Sequence, residues 1–153
     1  MRLTIRDIQK MKTDGEPIVM LTAYDTMSAR TAEAAGVPAL LVGDSLGMVV
    51  QGHTSTVPVK LEHMIYHCEI VSRVTENPLI IGDLPFMTYS VSPEQALASS
   101  ARLMQEGGVT AVKLEGGEFI APTIQRLVQA GIPVMAHIGL TPQSVNRFGG
   151  FRV

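Results

Sequence analysis

Short apolar runs recur along the chain, and each is followed by a stretch whose composition favours a helix. The apolar runs predict five strands, at residues 18–22, 39–42, 79–81, 109–114 and 132–136. The remaining patterns predict helices at about residues 4–12, 26–35, 61–75, 93–106 and 119–130. Because the apolar runs do not alternate with polar residues, we expect the strands to be buried on both faces of a parallel sheet.

Polar side chains collect where these strands end, and they favour one of two architectures. Repeating βα units build either a doubly wound open sheet or a (β/α)8 barrel. A doubly wound nucleotide domain carries a glycine-rich turn after its first strand, whereas this chain has Thr22-Ala-Tyr-Asp25 there. Polar residues at successive strand tips are typical of a barrel. They are Asp25, Asp44, Ser45, Asp83, Lys113, Glu115 and His137. We predict an α/β fold, a TIM barrel that is incomplete at about five strands, with residues 1–153 forming a single partial domain.

Composition narrows the class of function. The chain has 153 residues and a net charge of −2, and its 12 Lys and Arg form no run, which argues against a nucleic-acid surface. The lone cysteine, Cys68, excludes an intrachain disulfide and suits the cytoplasm. No apolar stretch approaches the roughly 18 residues of a membrane span. We therefore expect a cytoplasmic protein with neither a nucleic-acid nor a membrane partner.

Two aspartates carry the main chemical signal. Asp44 follows the run Ala39-Leu-Leu-Val-Gly, and Asp83 follows Leu79-Ile-Ile-Gly. Carboxylates on neighbouring strand tips, together with waters and a chelating substrate, suit Mg²⁺. A Gly-Asp pair after a strand is more often a turn or a helix cap, so either aspartate alone indicates little. Their joint position predicts a metal site.

Four further residues extend this predicted site. Glu115 could complete the metal site through a bound water. Lys113 could neutralise a substrate carboxylate, while His137 and Ser45 could hydrogen-bond at the same place. By itself Lys113 is more typical of a barrel ion pair, and His137 of a hydrogen-bonded core histidine. Together they predict a site for a 2-oxo acid that chelates the metal, which lowers the energy of the enolate.

Other candidate residues give weaker signals. His63 and His67 stand four residues apart on a predicted helix, as zinc ligands can, but the zincin pattern requires Glu where Met64 stands. Cys68 has nothing near it that would activate a thiolate, which is typical of a small buried residue. His53 lies in a polar loop, residues 51–56, that could either cover the site or simply join two elements.

Several segments resemble the ketopantoate hydroxymethyltransferase family. They are Thr22-Ala-Tyr-Asp25, Leu41-Val-Gly-Asp-Ser-Leu-Gly47, Gln51-Gly-His-Thr-Ser-Thr-Val-Pro58, Gly82-Asp-Leu-Pro-Phe-Met-Thr-Tyr89, Val112-Lys-Leu-Glu-Gly-Gly117, and His137-Ile-Gly-Leu-Thr-Pro-Gln143 with Phe148-Gly-Gly150. They occur in the family's order and cover essentially the whole chain.

This resemblance implies a specific reaction. A one-carbon unit would pass from 5,10-methylenetetrahydrofolate to 3-methyl-2-oxobutanoate, giving 2-dehydropantoate on the way to pantothenate and coenzyme A. Mg²⁺ would be held by Asp44 and Asp83, with Glu115 as the carboxylate of the metal-bound water. The positions implied to bind the 2-oxo acid are Asp44, Ser45, Asp83, Lys113 and His137. The family resemblance also implies a homo-oligomer.

Two features depart from the family pattern. Thr54 stands where the family more often has an acidic residue, which leaves the role of its loop open. The family's proposed general base is a glutamate on a later strand, yet no Asp or Glu follows Glu118. We therefore expect that base beyond Val153, no catalytic base within this chain, and a fragment or truncated reading frame of a family member.

Two other functions stay open at this point. An enzyme of the phosphoenolpyruvate mutase and isocitrate lyase type also chelates a 2-oxo acid on a metal. Such an enzyme needs a reactive cysteine loop, whereas Cys68 falls in a predicted helix. Alternatively, an incomplete barrel could bind metal and 2-oxo acid without turnover, or assemble with full-length partners, and the missing glutamate favours that interpretation.

Overall fold

Five parallel strands lie side by side in the order in which the chain makes them. The computed structural model describes residues 1–150, so the last three residues of the predicted 1–153 domain lie outside the described part. The strands are β1 (Met20–Thr22), β2 (Ala39–Val42), β3 (Leu79–Asp83), β4 (Ala111–Glu115) and β5 (Val134–His137). The order β1-β2-β3-β4-β5 never reverses. A doubly wound sheet changes direction at a switch point, so the winding is that of part of a barrel, as predicted.

Most of the helices follow a strand and pack against one face of the sheet, whereas the N-terminal helix precedes the first strand and packs against the other face. The α-helices are α1 (Ile5–Asp14), α2 (Thr26–Ala34), α3 (Leu46–Val49), α4 (Leu61–Val74), α5 (Pro93–Gln105), α6 (Ala121–Gln129) and α7 (Val145–Phe148), and two 3₁₀ turns span Glu118–Ile120 and Pro142–Ser144. The larger core lies between this helical layer and strand residues such as Leu40, Ile80 and Val112. The five helices predicted from the sequence are confirmed, although the 119–130 helix opens with a 3₁₀ turn.

The predicted site lies at the carboxyl edge of the opposite face of the sheet. A smaller apolar cluster covers this face, with Ile5 and Ile8 of α1 packed against it. Its strand members are Ala39, Leu79, Ile81 and Ala111. Because side chains two residues apart in a strand share a face, Asp83 extends the Leu79 and Ile81 row and Lys113 extends that of Ala111. The apolar rows of this face therefore end in charged side chains at the carboxyl edge of the sheet.

The prediction that every strand is buried on both faces is wrong for the two edge strands. β3 is buried along its whole length, whereas all three residues of β1 are exposed and β5 is only partly buried. Each edge strand pairs with one neighbour among the described strands, so no described strand covers its other edge. β1 is also shorter than residues 18–22, and β4 and β5 begin two residues later than predicted.

Asp25 has a structural role that the strand-tip pattern did not indicate. Its side chain accepts a hydrogen bond from the backbone N–H of Ser28 at 2.7 Å and so caps the N-terminus of α2. These hydrogen bonds from Ser28 hold the pKa of the Asp25 carboxyl below its ordinary value. Asp25 therefore belongs to the helix cap and not to the cluster of site residues.

Replacing this cap is expected to cost stability in a pH-dependent way. The Asp25→Ala variant should lower the free energy of unfolding by about 1 kcal/mol near neutral pH. Because the folded pKa is depressed, the carboxylate's contribution is present above its unfolded pKa and disappears as the pH falls through the folded pKa. Urea unfolding across this acid range measures the difference. Asp25→Asn retains the cap and serves as the control; an Ala variant as stable as the Asn variant at neutral pH would contradict the assignment.

Candidate functional site

The two predicted metal aspartates lie together at the carboxyl edge of the sheet. Asp83 is the last residue of β3, and Asp44 follows the end of the neighbouring β2 by two residues. The backbone N–H of Asp44 donates to Oδ2 of Asp83 at 3.0 Å. Both residues are buried, with exposed fractions of 4% and 3%. Two buried aspartates therefore lie at the ends of adjacent strands, joined by a hydrogen bond from the backbone of one to the carboxylate of the other.

Gly43 provides the room that this arrangement needs. A Cβ atom at this position would lie 2.9 Å from Oγ of Ser45 and 3.3 Å from Oδ2 of Asp83. Any side chain here would push the Ser45 hydroxyl or the Asp83 carboxylate out of place. The Gly-Asp pair that marks the end of β2 in the sequence is thus a steric requirement of the site.

Lys113 and Glu115 enter the same site from β4. Lys113 is the register partner of Asp83, and its Nζ lies 2.5 Å from Asp83 Oδ1. Glu115 stands two residues further along the same face and is buried. Its Oε2 accepts a hydrogen bond from the backbone N–H of Gln143 at 3.0 Å. The ion pair that Lys113 alone indicated is present, and it lies inside the candidate site.

His137 and Ser45 complete the set of predicted residues. His137 is the register partner of Glu115 on β5, with its Nδ1 3.4 Å from Glu115 Oε1. The Ser45 hydroxyl lies 2.7 Å from the Tyr24 hydroxyl. A cavity of about 430 Å³ opens between these side chains. All six predicted residues line it: Asp44, Ser45, Asp83, Lys113, Glu115 and His137. Ligand sites are concave and carry a few convergent polar groups, and this cavity has that character.

Burial disfavours the ionised form of all three acidic side chains in the cavity, Asp44, Asp83 and Glu115. Burial, reinforced by the charge of Asp83, raises the pKa of Asp44 to about 7. Burial also raises the pKa of Asp83, although the Lys113 ammonium opposes that shift. The pKa of Glu115 is raised for the same reason, against the hydrogen bond from Gln143. One lysine faces three carboxylates, so the site would be stabilised by an additional positive charge.

The donor set fits Mg²⁺. Within residues 1–150, no three His, Cys, Asp or Glu side chains converge closely enough to form a ligand cluster by themselves. Mg²⁺ is commonly bound through one or two carboxylates with waters and substrate oxygens supplying the remaining ligands. Asp44 and Asp83 match that pattern, and Glu115 lies on the same cavity, where it could accept a hydrogen bond from a bound water.

Two buried residues at the site, one beside the cavity and one lining it, could not be predicted from the sequence pattern. Gln143 is buried, and its Nε2 donates to Asp44 Oδ2 at 2.8 Å. Thr56, at 1% exposure, lines the cavity. His53 and Thr54, from the same loop as Thr56, are exposed. Gln143 stood within a family segment, but no periodicity or spacing marked it, because its partners are distant along the chain.

The alternative candidates are engaged elsewhere in the structure. His67 Nδ1 lies 2.7 Å from the carbonyl oxygen of Tyr24, and His63 Nδ1 accepts from the backbone N–H of Lys60. Cys68 is fully buried in α4, and burial raises the pKa of its thiol. A buried thiol with a raised pKa is not an activated nucleophile. These contacts give the two histidines local structural roles.

The chain is similar to a family of known enzymes along its whole length. The model of the family described as ketopantoate hydroxymethyltransferase matches residues 2–153. A relative from Chloroflexus aurantiacus, named 3-methyl-2-oxobutanoate hydroxymethyltransferase, is 64% identical over 149 residues, which cover 97% of this chain and 53% of the relative. A relative of the same name from Dehalococcoides mccartyi is 56% identical over 153 residues and is covered to 54%. The chain spans about half the length of the curated relatives it matches.

Solved structures with low sequence identity share the fold. A 2,3-dimethylmalate lyase, described as a PEP mutase/isocitrate lyase superfamily member, matches with a TM-score of 0.65 and 21% identity, covering 89% of this chain and 51% of the other. A phosphoenolpyruvate phosphomutase from Streptomyces platensis matches with a TM-score of 0.65 and 14% identity, covering 88% and 53%. These likenesses confirm the predicted fold class, with the chain corresponding to about half of each structure.

One further observation concerns membranes. Over residues 1–150, no helix combines the length and the apolar character that crossing a bilayer would require.

The match to the family model extends over nearly every residue, and the relatives are more than half identical to this chain. The chain belongs to the ketopantoate hydroxymethyltransferase family.

Proposed function

We propose that this chain carries the metal-binding and 2-oxo-acid-binding half of a 3-methyl-2-oxobutanoate hydroxymethyltransferase. The observation that carries the proposal is the single cavity lined by all six predicted residues, in which three buried carboxylates face one lysine. The relatives' shared name supports the choice of substrate. The product is 2-dehydropantoate, and the one-carbon donor is 5,10-methylenetetrahydrofolate.

The charged side chains of the cavity have separate roles in the proposed reaction. Asp44 and Asp83 hold Mg²⁺, and Glu115 orients a water beside it. When bound, the metal ion polarises the keto oxygen of the 2-oxo acid and so eases removal of the neighbouring proton. Lys113, already drawn into the cavity by Asp83, balances the negative charge of the substrate.

The remaining polar groups orient the substrate. The His137 imidazole faces the cavity from β5, and its Nδ1 accepts or donates according to its tautomer. The Ser45 hydroxyl is held by Tyr24 and can donate to a substrate carboxylate. The family resemblance implies a glutamate as the proton acceptor, and residues 119–153 of this chain contain no Asp or Glu that could take that role. We further propose that the protein is a cytoplasmic homo-oligomer and that it binds no nucleic acid.

Two alternative functions differ from the proposed hydroxymethyltransferase activity. The phosphoenolpyruvate mutase and isocitrate lyase type shares the fold, but the only cysteine, Cys68, is buried in α4 and does not line the cavity. A module that binds metal and 2-oxo acid without turnover has the same cavity. It differs from the main proposal only in the chemistry that follows binding, so turnover separates the two.

The proposal is tested by binding and turnover measured on one preparation. Calorimetry is expected to show that Mg²⁺ raises the affinity for 3-methyl-2-oxobutanoate at least about tenfold, or 1.4 kcal/mol. The control ligand is 3-methylbutanoate, which lacks the keto oxygen and cannot chelate, so Mg²⁺ should not change its affinity. We expect weak or no turnover by the 153-residue chain alone. Metal-independent binding of the 2-oxo acid would contradict the proposal, and cleavage of methylisocitrate would favour the isocitrate lyase type.

A further inference from the structure

Gln143 sits at the centre of a buried hydrogen-bond network beside the candidate site. Its Nε2 donates to Asp44 Oδ2 at 2.8 Å and to the carbonyl oxygen of Leu84 at 3.0 Å. Its Oε1 accepts from the Tyr89 hydroxyl at 2.7 Å. Its backbone N–H donates to Glu115 Oε2 at 3.0 Å. One residue, only 6% exposed, therefore touches two of the three site carboxylates.

The orientation of this amide is determined by its partners. The Leu84 carbonyl and the Asp44 carboxylate are both acceptors, so the NH₂ group must face them. The Tyr89 hydroxyl accepts from the backbone N–H of Glu115 at 3.2 Å, and of its two possible acceptors Gln143 Oε1 at 2.7 Å is nearer than the Glu115 carbonyl oxygen at 3.2 Å. A flipped amide would set oxygen against two acceptors in a buried place, and that is costly. Gln143 thus presents a donor to Asp44 in one fixed geometry.

This geometry leaves the rest of the Asp44 carboxylate available. Oδ2 is held by Gln143, while Oδ1 receives no hydrogen bond from any described residue. Glu115 is also held through one oxygen, because Oε2 accepts from the backbone N–H of Gln143. Its Oε1 lies 3.4 Å from His137 Nδ1 and receives no hydrogen bond from any described residue. A carboxylate with one oxygen anchored and the other free is prepared to bind a cation or a cation-bound water without rearranging.

We propose that Gln143 is a positioning residue for the divalent cation: its side-chain amide fixes Asp44, and its backbone N–H fixes Glu115, in the orientations that receive the ion and its water. This inference rests on the proposed function, since it concerns the same site. Gln143 lies in the 3₁₀ turn after β5, so this turn is bonded both to Asp44, which follows β2, and to Glu115, at the end of β4. The competing explanation is that Gln143 only fastens this turn to the edge of the sheet.

Direct measurement of Mn²⁺ binding distinguishes these explanations. Mn²⁺ replaces Mg²⁺ as the probe, because the electron paramagnetic resonance signal of free Mn²⁺ reports the dissociation constant without any turnover. Gln143→Met keeps the length of the side chain and removes both the donor and the acceptor. It should weaken Mn²⁺ binding by about 10–100-fold, the usual effect of losing an outer partner of a metal ligand. Gln125→Met is the control, because Gln125 is exposed on α6 and should leave the affinity unchanged.

A second variant covers the case in which Gln143→Met does not fold. Tyr89→Phe removes the hydroxyl that orients the amide and that also accepts from the Glu115 backbone N–H. It should weaken Mn²⁺ binding by a smaller factor than Gln143→Met does, while circular dichroism stays the same. Weaker binding by folded Gln143→Met, or by Tyr89→Phe when Gln143→Met is unfolded, supports the proposal. A folded Gln143→Met variant with unchanged Mn²⁺ affinity would overturn it, as would an unfolded one accompanied by a Tyr89→Phe variant with unchanged affinity.

The wild-type protein separates this inference from the proposed function. If the wild type binds Mn²⁺ and the 2-oxo acid but Gln143→Met binds equally well, the positioning role is lost and the proposed function stands. If the wild type binds no Mn²⁺, both are overturned, since there is then no ion to position. If the wild type binds Mn²⁺ but not the 2-oxo acid, the proposed function fails, and the comparison of the two Mn²⁺ affinities still decides the role of Gln143.

Discussion

Asp83→Asn should lose nearly all Mg²⁺-dependent binding of the 2-oxo acid. In the structure both Asp83 oxygens face donors, namely the Lys113 ammonium and the backbone N–H of Asp44. An asparagine amide has the same shape but must turn its NH₂ group towards one of these donors. The variant therefore loses a charged metal ligand and also places two donors against each other. We expect the affinity for Mg²⁺ to fall by more than the roughly 10–100-fold typical of an outer partner.

A matched substitution at another aspartate controls for this effect. Asp25→Asn makes the same chemical change at the α2 cap, where asparagine caps as well as aspartate does. It should bind Mg²⁺ and 3-methyl-2-oxobutanoate like the wild type in calorimetry. If Asp83→Asn also behaved like the wild type, Asp83 would not be a metal ligand and the enzymatic interpretation would lose its basis.

The metal-free protein should become less stable as the pH rises towards neutrality. The Asp44 carboxyl keeps its proton up to a pKa of about 7 in the folded protein, whereas its ordinary value is 3.8. Between these values the folded state binds more protons than the unfolded state, so the free energy of unfolding falls as the pH increases. The separation of the two pKa values sets an upper bound on the order of 4 kcal/mol for this loss.

Mg²⁺ should reverse this loss at the higher pH. A divalent cation neutralises the repulsion between the buried carboxylates, and by binding only the folded state it stabilises that state. Urea unfolding at about pH 5 and about pH 8, with a chelator and with Mg²⁺, measures both effects. Asp44→Asn cannot titrate, so its stability should depend less on pH over this range. An equal pH dependence in Asp44→Asn and the wild type would contradict the prediction.

The central strands and the edge that carries the site could be predicted from the sequence because those features are local. β2 occupies residues 39–42 as predicted, and β3 extends the predicted 79–81 run as far as Asp83. Parallel strands present their carboxyl ends at one edge, so polar residues that follow successive apolar runs lie near one another. The positions of the strands were therefore sufficient to predict that Asp44, Asp83 and Lys113 lie close together.

Features that depend on distant contacts could not be predicted in this way. Gln143 bonds to Asp44 across 99 positions of the chain, and no repeat or motif encodes such a contact. The exposure of β1 follows from its place at the edge of the described sheet, while its apolar sequence resembles that of a buried strand. Asp25 follows a strand as Asp44 does, but the helix that begins one residue later uses its carboxylate as a cap.

The central claim is that Asp44 and Asp83 share one divalent cation that a 2-oxo acid helps to coordinate. Anomalous diffraction from crystals of the protein grown with Mn²⁺ and 3-methyl-2-oxobutanoate tests it most directly. The account predicts one Mn²⁺ peak within bonding distance of a carboxylate oxygen from each aspartate, with the keto and carboxylate oxygens of the ligand on the same ion. A peak bound to only one of the two aspartates, or located elsewhere on the protein, would contradict it.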